Sequence, residues 1–244
     1  MGENLFETAS RTSNYRVSPT YRQHVQSAID QSSYVAGQVL KTILSAPTAV
    51  WIDTATKIHG NDPESMQTVL EAASRLARPP LCVFVLSNLP NRACDELGED
   101  AAEICCSYNA DRGCAWLSDA THCTSGITEY GLRFIDPIAT LLKHHASVPV
   151  VLVLEPAALP RLVVRAESPR CSSAATRDGY LVGLRYAVET LHAAAPSAAL
   201  YLDAANGAWL GEPSAVSKFV TLFAQLGVQC SQRDSKPSLP PSHT

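Results

Sequence analysis

Three carboxylates in this 244-residue chain each close an apolar run: Asp53 after Val50-Trp51-Ile52, Glu155 after Val150 to Leu154, and Asp203 after Ala199-Leu200-Tyr201-Leu202. A fourth run, Leu81 to Leu86, leads into Ser87-Asn88-Leu89-Pro90-Asn91 with Arg92 close behind. Carboxylates grouped around an arginine can move protons at a substrate or hold its hydroxyls, provided that folding gathers them. Each one alone could equally be structural, paired with arginine and backbone amides. Three at equivalent points argue for a polar, ligand-facing cleft.

The elements that must gather them can be read from the pattern. Pro149 to Pro156 is aliphatic and bounded by proline, which reads as a strand buried on both faces. Strands of that kind belong to parallel sheets covered by helices, where chemistry sits at the carboxyl ends of the strands. Ser18-Pro19 opens a helical stripe of Val25, Ala28, Ile29, Val35, Val39, Leu40 and Ile43, although Ser32-Ser33 and Gly37 argue against one straight helix. Asp62-Pro63-Glu64 opens another, with Met66, Val69, Leu70, Ala73 and Leu76 on one face and Pro79-Pro80 as its stop. Ile127, Tyr130, Phe134, Ile138 and Leu141 mark a third helix, and residues 172–194 a fourth with Leu181, Leu184, Val188 and Leu191 inward. A last helix from Pro213 to about Leu226 carries Val216, Phe219, Val220 and Phe223 before Gly227 caps it. Strands alternating with helices predict an α/β fold on a parallel sheet or barrel.

With 46% hydrophobic residues and a net charge of −4, the chain can build one large α/β domain and carries no nucleic-acid footprint. No run reaches the roughly 18 apolar residues that span a bilayer. Met1 to Thr12 lacks the apolar core of a signal peptide, so the chain as written is expected to stay where it is made. Residues 1–17 read as an extended segment within a domain spanning 1–229, and the Ser, Pro and Lys rich residues 230–244 read as a disordered tail. Eight cysteines pull toward an oxidising compartment, above all Cys105, Cys106, Cys114 and Cys123 in a polar loop from about Asp95 to Ser125. Cys82, inside an apolar run, reads as a buried core residue. With no paired CxxC and His122 alone beside the cluster, zinc is a weak alternative; no metal or cofactor is expected.

Four stretches, Trp51-Ile52-Asp53-Thr54, Leu89-Pro90-Asn91-Arg92-Ala93-Cys94, Leu154-Glu155-Pro156-Ala157-Ala158-Leu159 and Tyr201 to Gly211, resemble successive motifs of glycoside hydrolase family 6. These are the cellobiohydrolases and endoglucanases acting on β-1,4-glucan, with the patterns W-[LI]-D-T, L-P-D-R-D-C, [IL]-E-P-D-[SA]-L and Y-[LI]-D-A-G-H-[AS]-G-W-L-G. Asn4-Leu5-Phe6 also resembles the N-P-F that opens the family's catalytic domain. The resemblance implies a partial (β/α) barrel, roughly the N-terminal half of the family's distorted seven-stranded barrel. It implies a disulfide Cys94-Cys171, a β-1,4-glucan or cello-oligosaccharide as partner, a monomer, and the secretion usual for the family. By the same resemblance Trp209 stacks on a pyranose ring while Asp203 and Asn206 bond hydroxyls at its edge. Trp51 is a second platform or a core residue. Arg92 matches an arginine that interacts with catalytic carboxylates, and Asp53 and Glu155 match family positions that are substrate-facing or structural.

The departures bear on activity. Inverting glycosidases need a general acid for the leaving oxygen and a base arrangement for water. The family acid position holds Ala157, and the position of the aspartate supporting that acid holds Ala93. The motif histidine appears as Asn206, and the tyrosine before the Leu-Pro motif as Ser87. A methyl group holds no proton, so acid catalysis worth about 10² to 10⁴ in rate is missing there. Arg92 is expected to have lost its carboxylate partners. Inverting hydrolysis of β-1,4-glucosidic bonds is therefore expected to be weak or nil, with glucan binding or regulation, or an unstable fragment of a longer cellulase, as rivals.

Overall fold

The protein is described by a computed structural model over residues 5–6, 14–95, 102–116 and 119–227. The expectations made for Asn4, for residues 230–244 and for parts of the 95–125 loop lie outside those residues.

The first apolar stripe is cut by Gln31, Ser32 and Ser33 into two helices, α1 (Pro19–Asp30) and α2 (Tyr34–Ile43), each capped by the serine before it. Ser18 Oγ accepts from the Tyr21 amide and Ser33 Oγ from the Ala36 amide, satisfying donors that a helix start leaves open. The stripe is largely uncovered: Val35, Val39 and Ile43 are exposed, and only Val25 and Gly37 of the two helices are buried. The physical reason is partnership, since α1 and α2 pack chiefly on each other.

Strand β1 (Ala49–Ile52) follows, then a short 3-10 turn (Ala55–Lys57) and α3 (Met66–Ser74). Strand β2 (Cys82–Leu86) runs into the cysteine-rich loop, after which α4 (Thr124–Tyr130), a π-helical turn (Gly131–Ile135) and α5 (Asp136–His144) form one continuous rod. Strand β3 (Val150–Leu154) is followed by α6 (Ala158–Val164) and the long α7 (Ala174–Ala194), and β4 (Ala199–Leu202) by α8 (Gly207–Leu210) and α9 (Pro213–Gln225). The short helices α6 and α8 were not foreseen; neither is long enough to show a period.

The four strands are parallel in the order β1-β2-β3-β4. One row of paired residues, Ile52, Leu86, Leu154 and Leu202, crosses the sheet at the carboxyl end of every strand. Their side chains face the helical layer together with Val50, Phe84 and Leu152, against Met66, Leu70, Ile138, Leu142 and Leu184. Burial of that size is the main stabilising term. On the other face lie Val83, Val151 and Ala199, covered by Leu5, Tyr15 and Leu81, with Phe6 against the Tyr201 ring at 6.0 Å.

Helix α9 also leaves part of its apolar stripe uncovered. Val216 and Val220 are exposed while Leu222 and Leu226 are buried, with Phe219 and Phe223 packed beside them. The helix rests on α6 and α8 beyond the sheet edge, so the stripe at 219, 222, 223 and 226 is the one that finds a partner.

Candidate functional site

The residues immediately past the paired row are Asp53, Ser87, Glu155 and Asp203, so the parallel register brings all three strand-end carboxylates to one rim. Their environments differ. Asp53 on outer strand β1 forms an ion pair with Lys57, Nζ to Oδ1 2.6 Å. Asp203 on outer strand β4 accepts the Ala157 amide at 2.7 Å, tying the end of β4 to the start of α6. Glu155, on central β3, is buried at 3% exposure. Its Oε1 accepts from the Asn88 amide at 2.9 Å and from the Tyr130 hydroxyl at 2.9 Å, and its Oε2 from the Leu89 amide at 3.2 Å. Burial pushes its carboxyl up to about 7, against the pull of the Asn88 amide, Tyr130, the Leu89 amide and the nearby Arg92 charge. Tyr130 is pushed up as well, first by burial and then by the facing carboxylate.

The backbone around these groups is bent into the left-handed region. Asn91 and Ala93 have φ of 57°, Glu155 47°, Ala157 64° and Ala205 56°. For a residue with a Cβ this conformation costs about 1 to 2 kcal/mol, and Asn or Asp bears it better than Ala. The chain keeps the bend at both alanines because neighbours hold it. Ala157 is the N-cap position of α6 with its amide on Asp203. Ala93 lies between Asn91 and Cys94, both of which are pinned. Asn91 Oδ1 accepts from the Cys106 amide at 2.9 Å, its Nδ2 donates to Thr176 at 3.0 Å, and its carbonyl accepts from Tyr180 at 3.0 Å. Cys94 is bonded to Cys171 across 77 residues.

The cluster whose pairing the sequence left open forms two bridges, Cys105 with Cys114 and Cys106 with Cys123. All four sulfurs are thereby used, which removes the zinc alternative at this cluster. Cys82 is a buried thiol whose pKa burial raises to about 11. Glycines in α7 and α4 make room for the stapled loop: a Cβ on Gly179 would stand 2.9 Å from Cys123 Sγ, one on Gly183 2.6 Å from Leu89, and one on Gly126 2.6 Å from the Cys105 carbonyl.

Sequence reasoning missed Glu103. Its Oε2 accepts from the Ala55 amide at 2.9 Å and from Asn88 Nδ2 at 2.7 Å, so it joins the ends of β1 and β2. Nothing in its aperiodic loop separates it from its acidic neighbours; only membership of the 95–125 loop pointed there. Asn88 Oδ1 is buried without a hydrogen-bond partner among the described residues.

The other expected residues stand as follows. Arg92 donates from its guanidinium to the Ser87 carbonyl and lies in the field of Glu155. Trp51 is 52% exposed and therefore not a core residue; it borders an open groove with Tyr21, His24, Lys57 and Asp62. Asn206 spends its Oδ1 on the Ala208 amide at 2.9 Å as the cap of α8. Trp209, half-buried in α8, has the Arg165 guanidinium 5.9 Å from its ring centroid.

A sequence profile described as Glycosyl hydrolases family 6 matches residues 10–236. The chain belongs to this family. Among curated family 6 relatives it is 32% identical over 219 residues to Exoglucanase A of Cellulomonas fimi, covering 86% of this chain and 23% of that protein. To the 1,4-beta-D-glucan cellobiohydrolase C of Emericella nidulans it is 32% identical over 219 residues, 85% of this chain and 42% of that protein. Among solved structures, the catalytic domain of Cellulomonas fimi Cel6B superposes with a TM-score of 0.70 at 30% identity, over 87% of this chain and 45% of that one. The chain thus spans less than half the length of these family 6 proteins, and its parallel sheet corresponds to part of their distorted barrel. A further structure, the CcCel6A catalytic domain complexed with p-nitrophenyl beta-D-cellotrioside, shares the fold with a TM-score of 0.69 at 23% identity. Among the described residues no helix is long and apolar enough to cross a membrane.

Proposed function

We propose that this chain binds β-1,4-glucan or cello-oligosaccharides at the strand-end rim and hydrolyses them weakly or not at all. The observation that carries the reading is the engagement of every strand-end carboxylate in the fold. Asp53 is paired with Lys57, Asp203 holds the Ala157 amide, and Glu155 is enclosed by three donors at 3% exposure. Glu155 at about 7 has the proton affinity of a general acid but not the access. A catalytic acid must come within hydrogen-bond reach of the leaving oxygen, and geometry precedes pKa in that requirement. At Ala157, the family's acid position by resemblance, the backbone bend is present and the carboxyl is not.

What remains on the rim suits holding sugar. Trp209 offers a ring for stacking, Asp203 keeps Oδ1 and Asn206 its amide nitrogen for hydroxyls, and Trp51 offers a second ring at the far edge. Three disulfides support an oxidising, extracellular setting for this chemistry.

The test is reducing-sugar release from a soluble β-1,4-glucan, beside calorimetric binding of cellotetraose. Binding with release no greater than a heat-killed control is the expected result. Turnover approaching that of a catalytically complete family 6 cellulase would overturn the weak-or-nil reading and direct attention to Glu155 and Glu103. Restoration of turnover by A157D with A93D would tie the deficit to those two positions.

A further inference from the structure

The outer face of α9 is built unlike the solvent face of a helix. Pro213, Val216, Val220 and Ala224 recur at spacings of three, four and four, and Val216 and Val220 are 42% and 58% exposed. Such spacings line up on one stripe, opposite the stripe of Phe219, Leu222, Phe223 and Leu226 that meets the core. A solvent-facing stripe ordinarily carries charge, and this one carries none. Ser217 and Thr221 beside it turn their hydroxyls back onto the Pro213 and Ser217 carbonyls at 3.0 and 2.9 Å. Lys218, the one charged residue of the helix, stands about 160° round from Val220 at 100° per residue. The cysteine count bears on what this face meets. Of eight cysteines six are bridged, and Cys82 is fully buried with its thiol turned to the Pro80 carbonyl. Cys230 is left over, with no accessible cysteine of its own chain to bond. It lies outside the described residues but only three positions past Gly227, so its Cα stands within about 11 Å of the end of α9. Arg185 fixes that end by donating to the Gln225 and Leu226 carbonyls.

We propose that the outer face of α9 docks on a second copy of this chain, the two α9 helices lying side by side and parallel about a two-fold axis, with Cys230 bonded to the partner's Cys230 at their common end. This departs from the monomer implied by the family resemblance. Identical uncharged faces are complementary under such an axis, each valine meeting its own counterpart. Packed helices lie about 8 to 10 Å apart, so two parallel ends bring both cysteines within reach of the roughly 5.5 Å between Cα atoms that a disulfide needs. An antiparallel pair would set them at opposite ends. A contact of three to four helical turns is small against the roughly 1,000 Å² of a stable interface, and the bridge makes up the difference by holding the two faces at high effective concentration. The bond forms by two exchanges with a small disulfide oxidant such as oxidised glutathione. One Cys230 thiolate attacks the oxidant and releases a glutathione thiolate; the partner's thiolate attacks the mixed disulfide and releases the second. Two cysteine sulfurs are oxidised, one glutathione disulfide is reduced, and the two cysteine protons pass to the leaving thiolates.

The experiment treats the whole 244-residue chain with oxidised glutathione and follows it by non-reducing electrophoresis, light scattering and peptide mapping. A covalent dimer of twice 26.2 kDa, joined Cys230 to Cys230 and returned to monomer by dithiothreitol, is expected. C230S should give no covalent dimer. V216K with V220K, which sets like charges across the axis, should form the dimer at least about tenfold more slowly, whereas V35K with V39K on the exposed face of α2 should leave the rate unchanged. Urea midpoints check that both pairs of substitutions leave the chain folded. A Cys230 that ends as its glutathione adduct or bonded to Cys82 would overturn the inference, as would a covalent dimer that survives C230S. So would V216K with V220K cross-linking as fast as the wild type, since the bond would then record a chance collision of thiols and not a docked face.

Discussion

The middle of the sheet and its two margins solve the same problem differently. At the ends of β2 and β3, polar groups are taken out of water: Asn88, Asn91 and Glu155 are all buried at 3% exposure or less. They are held by the Leu-Pro loop, Tyr130 and the disulfide-stapled segment behind them. At the ends of β1 and β4 the polar groups are half open, and the aromatic rings Trp51 and Tyr201 face outward at 52% and 45% exposure. The centre is built like a core that happens to contain a carboxylate. The margins are built like a binding surface. Stability should therefore concentrate in the centre and ligand contact at the margins.

The largest break in that contrast should come from the long disulfide. Replacing Cys94 and Cys171 together by serine is expected to cost about 4 kcal/mol in urea unfolding, because the bridge closes a loop of 77 residues in the unfolded chain. Changing Asp53, at the margin, to asparagine removes a partly exposed ion pair and should cost under about 0.5 kcal/mol. Similar losses for the two changes would erase the distinction.

Glu155 sharpens the contrast through pH. Below about 4.5 its carboxyl is protonated in both folded and unfolded chains, and between 4.5 and about 7 only the unfolded chain releases the proton. The folded form binds more protons over that window, so stability falls as pH rises and the loss, about 3 kcal/mol, is complete above the folded value. Urea midpoints taken from pH 4.5 to 7.5 should show this slope, and Glu155→Gln should flatten it. A wild-type slope of the opposite sign would mean that the three donors outweigh burial.

The smallest effect is at the bend. Ala157→Gly should stabilise by about 1 kcal/mol, since glycine accepts a φ of 64° without the Cβ penalty. A loss of stability would show that the methyl contributes packing that outweighs the strain.

The parallel sheet was legible because its strands are short apolar runs with carboxylates at matching ends. The register then converts matching sequence positions into one rim. The outward faces of α2 and α9 were not legible, because periodicity shows that a helix has an apolar stripe and not whether anything lies against it. Val39 and Val220 satisfy the pattern and remain exposed. The cysteine pairing and Glu103 were hidden for another reason. They belong to a loop without a period, whose contacts are decided by glycines at 126, 179 and 183, far off in sequence. Ala93 and Ala157 were visible as departures in side chain, but their common left-handed backbone was not.

The π-helical turn at Gly131–Ile135 has a bearing on how this rim can change over time. Such a turn takes up one residue more than an α-helix would in the same space, which offsets the phase of the rod by about 100°. The offset lets Tyr130 reach Glu155 while Ile138 and Leu142 still face the sheet. The setting of the central carboxylate thus depends on a count of residues rather than on the identity of any one. Substitutions along the rod can accumulate without disturbing it, whereas a single deletion would turn the hydroxyl, and the Cys123 anchor before it, away from the strands together.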